Sequence, residues 1–242
     1  MARGVVGLAI RLGSNGALPV RLTLDEQPFG TSGWAKEGKL VKVIPRLVVV
    51  EGAHGSGKTT LAKALTTRLK SEGMRSKYTK EPYSPILKKA ISILATKDRR
   101  NPIALAYVIS ADRRLHLDQI GRWVRSGATI ISDRYLDSSL VYQRIDGLNL
   151  DLIRSLNFFV PNPKLKIYLR APLMVRLARL KTKIREQSTH TFLSSKALGK
   201  EQRFYDQIIA SKGRGSNCLV LDGTRSIKEG VEIAKQFVLT NI

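Results

Sequence analysis

The stretch LVVVEGAHGSGKTT combines an apolar run, a glycine-rich turn, a lysine and two threonines. Within it, Gly52–Thr59 fits the pattern G-x-x-x-x-G-K-[ST], in which backbone N–H groups turn towards phosphate oxygens and the next helix adds its partial positive charge. Lys58 then reaches the β- and γ-phosphates, and the Thr59 hydroxyl is placed for Mg²⁺. This stretch therefore predicts a loop that holds the phosphates of a nucleoside triphosphate, made by Gly52, Ala53, His54, Gly55, Ser56, Gly57, Lys58, Thr59 and Thr60.

Two further polar stretches follow predicted strands. In YTKEPYSP, Lys80 ends a strand and is suited to a second anionic group, although this stretch taken alone is explained better by an ordinary surface lysine. In IISDRYLDSSLVYQ, Asp133 and Arg134 follow a strand directly. An acid there holds Mg²⁺ through water, and an arginine forks onto a phosphate. Ser138 and Tyr142 share one face of the helix that comes next.

The stretch ALAYVISADRRLHLDQIGRWV has helical spacing. One face carries the apolar residues Leu105, Ile109 and Leu117. Arg113 interrupts this face, and an arginine inside an apolar stripe needs a partner because burying it unpaired is costly. Asp112 and His116, four residues apart, are interpreted as an ordinary surface pair.

From Arg46 onward, short apolar strands alternate with helical patterns. The predicted strands are Leu47–Val50, Arg75–Thr79, Thr129–Ser132, Leu165–Leu169 and Cys218–Leu221. Such alternation predicts an α/β fold, a doubly wound parallel five-stranded sheet with helices on both faces. Ligands of such sheets gather at the carboxyl ends of the strands. Residues 1–45 lack this pattern apart from one alternating stretch, PVRLTLDE, and are predicted to be a poorly ordered extension before a domain of residues 46–242.

The chain of 242 residues is strongly basic, with 42 Lys and Arg against 19 Asp and Glu and a net charge of +23. Such a surface attracts phosphates of nucleotides, nucleic acids or lipids, so an ATP-dependent nucleic-acid-binding protein is one alternative. No nucleic-acid recognition motif is present, so only weak, non-specific binding of nucleic acid is expected. A single cysteine, Cys218, and the lack of a membrane-length apolar segment favour a cytoplasmic protein that does not bind membranes.

The motifs EGAHGSGKTT, TKEP, SADRRLH, DRYLDSSLVYQ and VPNPKLKIYLRAPLMVRLARL, taken in this order, resemble the successive motifs of the thymidylate kinases. The resemblance covers everything from about Arg46 to the C-terminus. It implies a P-loop kinase that transfers the γ-phosphoryl group of ATP to dTMP to give dTDP, with Mg²⁺ as cofactor. It is also compatible with a homodimer.

The resemblance also implies roles for individual residues. It implies that the residues acting in phosphoryl transfer are Lys58, Asp133, Arg134 and Arg185. The residues that it implies for binding the metal are Thr59 and Asp133. The residues that it implies for binding the acceptor nucleotide are Lys80, Arg113, Arg134, Ser138, Ser139 and Tyr142. Within this set, Arg134 and Lys80 clamp the acceptor phosphate and Arg113 contacts the base edge.

The same resemblance assigns a basic lid to about residues 180–200. Because Gly55 stands where a P-loop arginine could sit, the lid must supply the catalytic cation, with Arg185, Lys183 and Arg179 as candidates. Three residues depart from the family pattern. His54 replaces an acid, Ile109 an aromatic residue and Lys80 an arginine, so a paralogous kinase for another nucleoside monophosphate is the second alternative.

Overall fold

The structure is a computed structural model that describes residues 35–36, 39–40, 42–96, 101–187, 195–211 and 217–242, with side-chain surroundings for 42–96, 101–182, 197–211 and 217–242. The predicted strand in PVRLTLDE and the central part of the predicted lid lie outside these residues. Among the helices of the described residues, none has the length and apolar character needed to cross a membrane.

Strands and helices alternate along the described chain. The strands are β1 (Ala35–Lys36), β2 (Lys39–Leu40), β3 (Val43–Glu51), β4 (Ser76–Lys80), β5 (Thr129–Asp133), β6 (Asn162–Arg170) and β7 (Cys218–Asp222). The helices are α1 (Lys58–Ser71), α2 (Pro85–Leu94), α3 (Pro102–Arg125), α4 (Leu136–Ile145), α5 (Leu150–Leu156), α6 (Leu173–Gln187), α7 (Ser195–Ser211) and α8 (Ile227–Asn241).

Five strands form one parallel sheet in the order β4-β5-β3-β6-β7, which confirms the predicted fold class. All five predicted strands are present, but β3 begins at Val43 and is longer than the predicted apolar run. Its pairing with β6 shifts between Ile44 and Val48, and Arg46 there has a positive φ of 59°. The bulge explains why an apolar pattern alone shows only the second half of this strand. The short antiparallel pair β1 and β2 precedes the sheet.

The central strand shows why the sheet is covered on both faces. Residues 47–50 are fully buried, and successive side chains point to opposite sides. Val48 and Val50 pack with apolar residues of α1 and α8, whereas Leu47 and Val49 pack with apolar residues of α3. Helices therefore lie on both faces, as the uninterrupted apolar run predicts.

Strand register brings the polar motifs to one edge. Asp133 at the end of β5 pairs in register with Val50 of β3 on one side and with Lys80 of β4 on the other. The loops after these three strands consequently meet. Helices α2 and α3 start at local sequence signals, since the side chains of Ser84 and Asn101 cap them ahead of a proline in the first turn.

Candidate active site

The loop between β3 and α1 is a tight phosphate-binding turn. Gly52, Gly55 and Gly57 have φ values of 144°, 76° and 103°, a region that residues with a Cβ rarely adopt. A Cβ at Gly52 would overlap the Leu169 carbonyl oxygen, and one at Gly55 would lie 2.7 Å from the carbonyl oxygen of Arg176. The glycines are therefore required by the close approach of β6 and α6 as well as by the turn itself.

A cavity of about 320 Å³ opens in front of this loop. It is lined by His54, Gly55, Gly57, Lys58, Thr59, Thr60, Lys80, Arg134, Arg179 and Leu180. Four of these side chains are cationic, so the cavity is suited to an anion of high charge. The Lys58 ammonium donates to the Ala53 carbonyl oxygen at 2.8 Å. Its burial, and next its neighbour Arg134, lower the pKa of Lys58 to about 7, and a bound phosphate would reverse this shift.

Asp133 lies beside this cavity and is fully buried. Its Oδ2 accepts a hydrogen bond from the Thr59 hydroxyl at 2.5 Å, and the Lys80 ammonium lies 4.0 Å away. Within the described residues, Oδ1 of Asp133 has no hydrogen-bond partner. A buried carboxylate oxygen left open beside a hydroxyl is a ligand set that Mg²⁺ accepts, so Thr59 and Asp133 fit the predicted metal.

A second cavity of about 360 Å³ lies on the other side of Arg134. It is lined by His54, Glu81, Pro82, Ile91, Ala95, Ile109, Asp112, Arg113, Arg134, Ser138, Ser139, Tyr142 and Gln143. Arg134 and His54 line both cavities. The Arg134 guanidinium lies over the Tyr142 ring, 5.0 Å from its centroid, and donates to the Ser138 hydroxyl at 3.3 Å. Two ligands seated in the two cavities would therefore share one cation.

Arg113 borders this second cavity but is only 1% exposed. Its guanidinium donates to Glu81, at 2.7 Å for the closest pair, and to the side chains of Asn157 and Ser139. The partner that the sequence required for this arginine is thus Glu81. Most donors of Arg113 are used inside the protein, and its contact with a substrate base stays a prediction.

The interpretation of Asp112 and His116 as a surface pair is wrong. Both side chains are buried, and they point to different partners. Asp112 accepts hydrogen bonds from the backbone N–H groups of Tyr83 and Ser84 at 2.7 Å, and so fixes the loop after β4. His116 bonds Thr79 and Glu81. Helical spacing alone could not separate an exposed pair from two inward-facing residues, because α3 is covered on more than one side.

The predicted acceptor-side serines are engaged with the protein. The Ser138 hydroxyl donates to the buried carboxylate of Glu51 at 2.8 Å, and Ser139 accepts from Arg113. Glu51 also accepts from the backbone N–H of Tyr135, so it fastens the start of α4 to the end of β3. Both serines therefore line the second cavity, but their hydroxyl groups are hydrogen-bonded to Glu51 and Arg113, which form or support its wall.

Sequence reasoning missed Gln143, which lines the second cavity and is 2% exposed. Neither atom of its amide has a hydrogen-bond partner within the described residues. A buried amide left open at both ends is costly unless a ligand or water completes it. The available signal was its position four residues after Ser139, on the same helix face.

A third cavity, of about 240 Å³, adjoins the phosphate-binding loop on the side of β7 and was also missed. It is lined by Ser56, Gly57, Thr60, Leu61, Leu169, Arg179, Leu221, Asp222, Gly223, Arg225, Ser226, Ile227 and Gly230. Its mixed apolar and polar wall is suited to the nucleoside part of a nucleotide whose phosphates lie in the loop. No motif in the sequence marks it, because its residues come from five helices and strands and two loops.

Among the basic residues of α6 whose side-chain surroundings the structure describes, two reach the phosphate-binding loop. Arg179 donates to the carbonyl oxygens of Ser56 and Gly223, and Arg176 is fully buried and donates to the carbonyl oxygen of His54. Lys183 and Arg185 belong to the same helix, but their side chains lie outside the described residues. The predicted catalytic role of Arg185 therefore stays a prediction.

Comparison with known proteins agrees with this geometry. The family model described as "Thymidylate kinase" matches residues 50–232. A "Probable thymidylate kinase" of Metallosphaera sedula is 36% identical over 194 residues, 79% of this chain and 91% of the relative. The "Probable thymidylate kinase" of Sulfolobus acidocaldarius is 33% identical over 189 residues, covering 77% and 92% of the two chains. A "Probable thymidylate kinase 1" of Saccharolobus solfataricus is 30% identical over 198 residues, covering 81% and 98%. This chain therefore belongs to the thymidylate kinase family.

Proposed function

We propose that this protein transfers the γ-phosphoryl group of ATP to the 5′-phosphate of dTMP and so produces dTDP. One observation carries the proposal: Arg134 lies on the wall common to the phosphate-binding cavity and to a second, less polar cavity. Phosphoryl transfer needs a donor and an acceptor phosphate to meet in line, and one cation shared by both seats is suited to that meeting. Membership of the thymidylate kinase family supports the same reaction.

The donor ATP is proposed to occupy the loop between β3 and α1, with its nucleoside in the third cavity. Lys58 would leave the Ala53 carbonyl oxygen and follow the migrating phosphoryl group, since charge neutralisation is the main contribution of protein groups to this reaction. Thr59 and Asp133 would hold Mg²⁺, which neutralises phosphate charge when bound. Arg185 and the segment of about residues 180–200 are proposed to act as the basic lid.

The acceptor dTMP is proposed to occupy the second cavity. Arg134, which lines both cavities, would hold its phosphate together with Lys80, which lines the phosphate-binding cavity. The open amide of Gln143 offers a donor and an acceptor side by side, which matches the N3–H and a carbonyl oxygen of a pyrimidine base. Ile109 and Tyr142 supply apolar and aromatic wall, and Arg113 supplies a further donor at the base edge.

A coupled ADP-release assay with ATP, Mg²⁺ and a panel of nucleoside monophosphates tests the proposal. We expect the highest kcat/KM with dTMP, a lower value with dUMP and almost no turnover of purine nucleotides. Equal turnover across the panel would refute the assignment of the acceptor. A lack of turnover with every monophosphate would refute the kinase activity itself.

A further inference from the structure

Helix α7 supplies a buried carboxylate to the tip of the phosphate-binding loop. Glu201 is 1% exposed, and its Oε1 lies 2.6 Å from Nδ1 of His54. Its Oε2 accepts a hydrogen bond from the backbone N–H of the same histidine at 2.9 Å. One carboxylate therefore holds both the main chain and the ring of a residue 147 positions away in sequence.

These contacts decide which nitrogen of His54 carries the proton. A carboxylate can only accept, so Nδ1 must be the donor in a contact of 2.6 Å. Nε2 faces a guanidinium N–H of Arg134 at 3.4 Å, which a protonated Nε2 could not accept. Burial, the largest cause, and the charges of Arg134 and Lys58 also lower the pKa of His54 despite its contact with Glu201, which favours the neutral ring near pH 7. With the only ring proton on Nδ1, Nε2 presents a lone pair.

That lone pair faces Arg134. Nε2 of His54 lies 3.4 Å from Nη2 of Arg134, and the ring is tilted against Tyr142 with centroids 4.8 Å apart. A neutral imidazole orients a guanidinium without cancelling its charge. A carboxylate in the same place would orient it equally well but would compete with the phosphate that the arginine is there to bind.

The negative charge of Glu201 is itself balanced away from the cavities. Arg176 is fully buried with Nη1 3.7 Å from Glu201, and it donates to the carbonyl oxygens of His54 and Leu198. The residues that flank the proposed lid thus hold position 54 at its N–H, its carbonyl oxygen and its ring.

We propose that Glu201 is a positioning residue that acts through His54: it fixes the tautomer of the histidine, which in turn orients Arg134 for the acceptor phosphate while leaving the arginine fully charged. This inference rests on the proposed function for its kinetic part. The arrangement of carboxylate, imidazole and guanidinium can be tested without any activity.

The kinetic test compares Glu201→Gln and His54→Asn with Asp206→Asn. A glutamine at 201 can donate to Nδ1 and release the histidine to the other tautomer, and an asparagine at 54 keeps a donor towards Glu201 but lacks the atom that reaches Arg134. For both variants we expect the KM for dTMP to rise about tenfold, a modest loss of binding energy. The KM for ATP should rise less, by up to about threefold, because His54 and Arg134 also line the phosphate-binding cavity. The KM for dTMP of the double variant should be no higher than that of either single variant, because both substitutions remove the same interaction between Glu201, His54 and Arg134.

Asp206→Asn is the matched control, because Asp206 lies on the same helix and pairs with Arg170 at the surface. It should leave both KM values unchanged. A merely structural role of Glu201 predicts lower thermal stability with the two KM values moving together, and additive effects in the double variant. Either result would overturn the proposal.

The structural test is the tautomer of His54 in the wild-type protein, measured from ¹⁵N shifts and couplings of the imidazole nitrogens. The chain has three histidines, and the His54 signals are those absent from His54→Asn. We expect a proton on Nδ1 and a bare Nε2 near pH 7. A proton on Nε2 would refute the proposal whatever the kinetics show. An inactive wild-type protein with the expected tautomer would instead refute the proposed function, while the arrangement of Glu201, His54 and Arg134 would still be supported.

Discussion

Two buried polar regions meet at the second cavity, and they differ in how completely the protein satisfies them. Arg113 donates hydrogen bonds to Glu81, Asn157 and Ser139, which lie in three different elements or loops, and Glu81 in turn contacts His116 of α3. On the wall of the second cavity, in contrast, both ends of the Gln143 amide have no partner within the described residues. The same holds for Oδ1 of Asp133, whose other carboxylate oxygen contacts Thr59 and Lys80, two residues that line the phosphate-binding cavity.

The difference distinguishes residues that hold the fold together from residues that are available to bind a ligand. A fully satisfied network fixes the distance between elements and has little left to offer a ligand, whereas an open buried atom marks where a ligand completes the hydrogen bonding. An open atom is informative only next to a cavity. Thr129 is fully buried with an open hydroxyl, but it lines none of the three cavities described above. Unlike Asp133, its side chain also makes no hydrogen bond within the described residues to a residue that lines one, so it marks no site.

The largest effect should come from Lys58→Ala, at the phosphate-binding cavity. Removing the cation that follows the phosphoryl group should lower kcat by about a thousandfold or more, in line with the loss of a preorganised charge in a transition state. The circular dichroism spectrum should stay unchanged, because burying this ammonium costs stability and its loss relieves that cost. Lys70→Ala, an exposed change on the same helix, is the control. An active Lys58→Ala enzyme would mean that the loop does not bind the donor phosphates.

The opposite pattern is expected for Glu81→Gln in the satisfied region. It leaves Arg113 charged and buried without a counter-ion, which should lower the free energy of unfolding by about 3 kcal/mol. Denaturant unfolding measures this loss. Asp151→Asn is the control, because Asp151 makes its ion pair with Arg154 at the surface and should lose less than about 1 kcal/mol. Equal losses in the two variants would show that the Arg113 network is not the scaffold we describe.

The effect of Glu81→Gln should also depend on pH in a defined direction. Burial alone would raise the pKa of Glu81, but the charge of Arg113 and hydrogen bonds from His116 and Arg113 outweigh it and hold the pKa below its ordinary 4.5. A depressed acid pKa contributes stability above the unfolded value and loses it as pH falls through the folded value. The difference in free energy of unfolding between wild type and Glu81→Gln should therefore have its largest value at neutral pH and become smaller below about pH 4.5. A constant difference would contradict the ion pair as its source.

Much of the fold followed from the sequence because its signals are local. The apolar run before Gly52, the caps at Ser84 and Asn101, and the polar residues after β4 and β5 each depend on neighbours in the chain. The rule that parallel strands end at one edge then places Lys80 beside Asp133. The register shift near Arg46 is different, since it depends on how β6 pairs and no local pattern announces it.

The contacts that sequence reasoning missed are those made over long separations. Glu201 is paired with His54 across 147 positions, and no spacing rule connects two such residues. The third cavity likewise combines residues from the first turn of α1 with residues after β7. Asp112 and His116 were misread because a helix covered on several sides has no single exposed face.

A middle-sized effect should come from Gln143→Leu, which removes the open amide but keeps the volume. We expect kcat/KM for dTMP to fall by about ten- to a hundredfold, because a base that needs hydrogen bonds then meets an apolar wall. Thermal stability should stay level or rise, since an unsatisfied buried group is removed. Thr129→Val, which removes an open hydroxyl away from the cavities, should show the same change in stability with unchanged kinetics. A large loss of stability in Gln143→Leu would place Gln143 in the scaffold.

The smallest effect should come from Tyr78→Phe, which lies on the border between the two regions. The Tyr78 hydroxyl donates to Oδ2 of Asp133 at 3.3 Å, a longer contact than the 2.5 Å from Thr59. Burial and the charge of Asp133 raise the pKa of Tyr78, so the hydroxyl keeps the proton that it donates to the carboxylate. Because Thr59 already holds the same oxygen, we expect the Mg²⁺ concentration for half-maximal activity to change less than about threefold, as for the loss of one weak hydrogen bond. A tenfold change would mean that the phenol orients this carboxylate, and the satisfied region would then extend to the metal site itself.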